Sequence, residues 1–168
     1  MKPLEPPDSH HLSAAQGWLG LGDWKEAVEE LKQIAPERRQ CPEALEVMRE
    51  IFAQAGKWDM AARAAGHLVK MKPGEPDTWI ALAYATRRKQ GGGLEPAREI
   101  LAKAQNRFPK EPVIAYNLAC YECQLGNQKA ALAWLRKAFA AGRSREMRSM
   151  ALHDRDLEPL WPKIRERD

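Results

Sequence analysis

Residues 115–142 read AYNLACYECQLGNQKAALAWLRKAFAAG, and the rest of the chain repeats their pattern. The stretch predicts two short helices folded back on each other. Tyr116, Leu118, Ala119 and Leu125 lie on one side of the first. Gly126-Asn127 interrupts it, because Gly and Asn tolerate the left-handed backbone that ends a helix. Ala131, Leu135, Ala138 and Phe139 then recur at helical spacing. The small side chains of Ala119 and Ala131 let the two backbones approach. Neither helix can bury its apolar face alone, so such a unit needs neighbours.

The chain supplies them. The turn glycine recurs as Gly22, Gly56, Gly92 and Gly126, and the small residue opening the second helix as Ala27, Ala61, Ala97 and Ala131. By subtraction the alanines stand 34, 36 and 34 residues apart. Trp24 and Trp58 follow the first two turns, and Pro73 and Pro109 close the units of Ala61 and Ala97. Two helices repeating in register predict an all-α helical array. The two extra residues fall at Gly91-Gly92-Gly93. That run lacks the Lys-Ser/Thr ending of a phosphate loop and follows no strand, so a flexible turn is expected.

These marks divide the chain. Residues 1–8, with Pro3, Pro6 and Pro7, form an extended lead-in, and Asp8 or Ser9 caps the first helix. Residues 9–142 hold four helix pairs: 9–41, 42–75, 76–111 and 112–142. Residues 143–168 form capping helices. There Leu157, Leu160, Trp161 and Ile164 make an apolar stripe, while Pro159 and Pro162 forbid one regular helix. The cap covers the face that the last pair would otherwise expose.

Composition narrows the setting. A net charge of +4, 30% charged and 44% hydrophobic residues suit a globular domain over 168 residues. No run of about 18 apolar residues occurs, so no membrane-spanning helix is expected. The opening MKPLEPPDSHH has no apolar core and does not read as a secretory signal. Three cysteines fit a reducing cytoplasm better than a disulfide framework.

The chain resembles tetratricopeptide repeat (TPR) proteins. The third pair carries Trp79, Leu82, Ala83, Ala97, Leu101, Ala104 and Pro109, and the fourth Leu118, Ala119, Gly126, Ala131, Leu135 and Ala138. The first two match less well: His11, Ala14 and Ala15 stand where the family favours bulky, Leu and small, and Arg49 replaces a small residue. The resemblance covers residues 9–142. It implies an α-solenoid of about four pairs forming a right-handed superhelix with a C-terminal helical cap, whose first helices line a concave groove. Groove positions mapped from it are Leu12 and Gln16 in the first pair, and Glu43, Glu46 and Glu50 in the second. The third offers Tyr84, Arg87 and Arg88, and the fourth Tyr116, Asn117 and Gln124. The carboxylate clamp of some family members is absent, since its positions hold Leu12, Gln16, Val47, Asp77 and Ala81.

No catalytic set is visible. Cys120 and Cys123 form a C-x-x-C without the further ligands that zinc needs or a βαβ setting for redox work. His10 and His11 point about 100° apart on a helix, and no carboxylate is patterned with any histidine. No metal, no cofactor and no enzymatic activity are expected. Seven Lys/Arg lie between residues 84 and 110, spread over two helices, so nucleic acid is not the expected partner. The expected function is a scaffold or adaptor that binds a peptide or helix of another protein in the groove, with Tyr84, Arg87 and Tyr116 as anchors. The rival readings are a self-assembling structural protein, with a second copy as partner, and an RNA-binding helical repeat.

Overall fold

Every regular element of the computed structural model is helical among its described residues, 3–142 and 144–166. The helices run α1 (Asp8–Gly20), α2 (Trp24–Gln33), α3 (Pro42–Gln54), α4 (Trp58–Met71), α5 (Pro76–Arg88), α6 (Leu94–Arg107), α7 (Pro112–Gln124), α8 (Gln128–Ala141) and α9 (Ser144–Ala151). A 3-10 turn, Arg155–Leu160, and α10 (Trp161–Arg165) complete them. Two compact units divide at Gly91/Gly92, so the stretch 76–111 contributes α5 to the first and α6 to the second.

In the first unit α1 packs on α2 and α3, α3 on α4, and α4 on α5. In the second, α7 is central, against α6, α8 and the 3-10 turn. The recurring alanines explain this order: Ala27, Ala61, Ala97 and Ala131 are all fully buried. A larger side chain at any of them would force neighbouring backbones apart. Leu31, Leu101 and Leu135, four residues further on, are buried on the same helix faces.

The turns repeat at the level of single hydrogen bonds. The amides of Asp23, Lys57 and Asn127 donate to the carbonyls of Trp18, Phe52 and Glu122 at 2.9, 2.8 and 2.8 Å. This six-residue closure requires a left-handed residue just before the donor, and Gly126 supplies it with φ +83°. The stretch at residues 91–93 differs: the left-handed residues are Gly91 and Gly93 rather than the expected Gly92. A Cβ on Gly126 would meet nothing within 4 Å. Gly126→Ala is therefore expected to cost about 1–2 kcal/mol through backbone strain alone, read from the urea midpoint.

Several helix starts follow sequence chemistry, and that of α1 departs from it. Pro42, Pro76 and Pro112 open α3, α5 and α7, where a missing N–H costs nothing. Asp23 caps α2 through the amides of Lys25 and Glu26. Neither Asp8 nor Ser9 caps α1, whose N-cap is Pro7. Asp8 instead accepts from the Ala35 amide at 3.1 Å, tying the start of α1 to the end of α2. Position 143, the first of the expected capping stretch, and positions 167–168 at its end lie outside the described residues. Leu157, Leu160 and Ile164 of that stretch are buried, and the Trp161 indole donates to the Ala151 carbonyl at 2.9 Å.

Candidate functional site

Helices α4 and α5 run antiparallel, so the first residue of α4 lies beside the last turn of α5. Trp58 and Tyr84 meet there edge to face, with centroids 5.7 Å apart and planes at 69°. The Arg88 guanidinium carbon stands 3.5 Å from the Tyr84 ring centroid and 5.3 Å from that of Trp58. Arg88 also donates to the Tyr84 carbonyl at 3.2 Å, which fixes the cation over the ring. Tyr84 nevertheless remains 46% exposed. A cation held over two aromatic faces is stabilised by the ring quadrupoles, here at a partly wet surface. The result is a preorganised platform with apolar area, a hydroxyl and a positive charge.

Two of the three acidic groove positions of the second pair are matched by cations. Glu46 lies 2.9 Å from Lys72, and Glu50 lies 3.2 Å from Arg49. The hydrogen bond that Lys72 donates to the Glu46 carboxylate raises the pKa of Lys72, against the opposing effect of partial burial. Glu43 and Gln16 are exposed, and Arg87 is half-buried.

Two expected groove residues are corrected by the structure. Leu12 is buried with Ala15 and Leu19 in the core of the first unit. Tyr116 is buried in the second, where its hydroxyl donates to Asp154 at 2.9 Å. Burial and desolvation leave neither side chain available to a partner. The Asn117 amide is turned back to the Val113 carbonyl at 2.9 Å, while Gln124 is exposed. The structure thus brings Tyr84 and Arg88 together, while Tyr116 belongs to the core of the other unit.

The C-x-x-C pair is also explained. Cys120 donates to Asp154 at 3.5 Å, all three cysteines are free thiols, and burial raises the pKa of each. A buried protonated thiol is a poor nucleophile and a poor ligand. One expectation about histidines is overturned: His11 does have a carboxylate partner, Glu30, at 2.9 Å. Among the described residues no group of three or more His, Cys, Asp and Glu is placed to hold a metal ion.

No protein-family model matches the sequence, and comparison with curated proteins finds no match. Solved structures do match. The crystal structure of MamA superposes with a TM-score of 0.71 at 15% identity, covering 84% of this chain and 81% of that one. A MamA RS-1 double mutant gives 0.70 at 18%, covering 84% and 79%. TTC0263, a thermophilic TPR protein of Thermus thermophilus, gives 0.68 at 22%, covering 94% and 82%. The fold is that of a TPR-like repeat protein.

Within the TPR-like repeat, Trp24 and Trp58 are equivalent, each the first residue of a second helix. Each also carries a cation. Lys57 stands 5.7 Å from the Trp24 ring centroid, as Arg88 does at 5.3 Å from Trp58. In the sequence Trp58 marks only a repeat position. The signal that places it beside Tyr84 and Arg88 is the antiparallel pairing itself, which sets the start of one helix against the end of the next.

Proposed function

We propose that this TPR-like chain acts by binding rather than by catalysis, as a scaffold or adaptor that holds a peptide or helix of another protein. The observation that carries the reading is the exposed Tyr84 ring, clamped between Trp58 and Arg88. Surface aromatics normally lose rotamer freedom when they bind, and a prearranged platform has already given it up. Tyr and Arg are also the side chains most often found at the energetic centre of interfaces. Helical repeat arrays as a class offer extended surfaces for such partners. The three free thiols suit a reducing compartment such as the cytoplasm.

The test compares the unaltered chain with a Tyr84→Ala/Arg88→Ala double variant as immobilised bait, with captured proteins quantified by mass spectrometry. Both side chains are exposed, so circular dichroism should be unchanged. At least one captured protein is expected to fall about tenfold or more, as for loss of an interface anchor. An identical set on both baits, or capture of this chain's own copies alone, would overturn the reading.

A further inference from the structure

The second unit carries a different surface, at the far side of α8. Leu132, Arg136 and Phe139 follow one another along that helix at i, i+4 and i+7 and so share a face. Together with α9 and α10 they line a cleft of about 420 Å³, which also receives Arg148, Lys163 and Glu166. That volume lies in the range of ligand-holding pockets. Arg148 is held in place: its guanidinium carbon is 5.2 Å from the Phe139 ring centroid, and it donates to the Ile164 carbonyl at 3.3 Å. Lys163 reaches Gln128 at 3.4 Å, and Arg136 is exposed. Three cations therefore face one carboxylate around half-buried apolar side chains.

We propose that this cleft binds an acidic peptide segment, in which carboxylates flank one bulky apolar side chain. The charge excess selects an anionic ligand. The distribution of the cations over α8, α9 and α10 selects one with several separated carboxylates rather than a single charged headgroup. Phe139 and Leu132 supply the apolar contact that fixes register between them. The site lies wholly within the second unit and shares no residue with the Tyr84 platform, so either can fail without the other.

The probe is an acetylated, amidated pentapeptide with two aspartates on each side of a leucine, titrated into the full chain and followed by methyl NMR. Shifts are expected at the Leu132 and Ile164 methyls, with binding that weakens as salt is raised. In an Arg136→Glu/Lys163→Glu variant, whose circular dichroism should match that of the unaltered chain, affinity is expected to fall about tenfold or more. The proposal is overturned if neither methyl shifts at millimolar peptide, or if the double variant binds as well. Equal binding by the matching lysine peptide overturns it too, as does response to laurate but not to peptide.

Discussion

Replacing Leu118 by alanine is expected to remove about 2–5 kcal/mol of stability, the range for truncating a fully buried leucine. A domain of this size has only about 5–15 kcal/mol in total, so the variant should unfold at a much lower urea concentration. The expectation rests on where α7 sits. Its residues Ile114, Ala115, Tyr116, Leu118, Ala119, Cys120, Tyr121, Glu122 and Cys123 are all buried. Neighbours on three sides, α6, α8 and the 3-10 turn, cannot all move inward to fill a void. Leu21→Ala is the control: Leu21 is 78% exposed, and its loss should change stability by less than about 0.5 kcal/mol. Amide exchange adds a spatial reading, because nearest-neighbour coupling predicts that protection falls most in α7 and α8. Equal loss for the two variants would mean that α7 is not the centre of the second unit.

That central helix also shows what the sequence could reveal. A helix apolar all round is a buried helix, yet the pattern of residues 115–125 points to a single apolar side. The polar members Cys120 and Glu122 mask the rest. Each is buried because a partner from elsewhere satisfies it. Glu122 takes Asn127 at 2.7 Å and Arg98 at 3.4 Å, and Tyr116 and Cys120 take Asp154. Asp154 is 38 residues from Tyr116 and belongs to an irregular turn, where no periodicity points to it. The repeated alanines are legible for the opposite reason. A position where two backbones nearly touch admits little but Ala or Gly, so geometry leaves a direct imprint on residue type. The recurring Pro42, Pro76 and Pro112 carry an equally direct signal, since proline suits the first position of a helix, and they mark the units more closely than Pro73 and Pro109 do. Candidate site residues are less legible because exposure at a mapped position depends on neighbours. One family-derived mapping covers Tyr84, which lies at a surface, and Tyr116 and Leu12, which lie in cores.

The Asp154 contacts have a consequence in alkali. Burial, then the charge of Asp154, raises the pKa of Cys120 far above the thiol's ordinary value of 9.0. Burial, then Cys120 and Asp154, does the same for Tyr116 from 10.0. In the folded chain both groups stay protonated where the unfolded chain has released its protons. The folded state then binds more protons, so stability must fall as pH rises. The fall begins near pH 9 for Cys120, joins near pH 10 for Tyr116, and runs at about 1.4 kcal/mol per pH unit for each group. Cys41, Cys123 and Lys72 are shifted upward as well and act in the same direction. The informative quantity is therefore a difference between chains. Cys120→Ala removes one titrating group and leaves Tyr116 hydrogen-bonded to Asp154. Its urea-derived stability should decline less steeply than that of the unaltered chain, by about 1.4 kcal/mol per pH unit above pH 9. Parallel curves would mean that Cys120 ionises as readily folded as unfolded, which requires water beside Asp154 and a cap that does not close over α7.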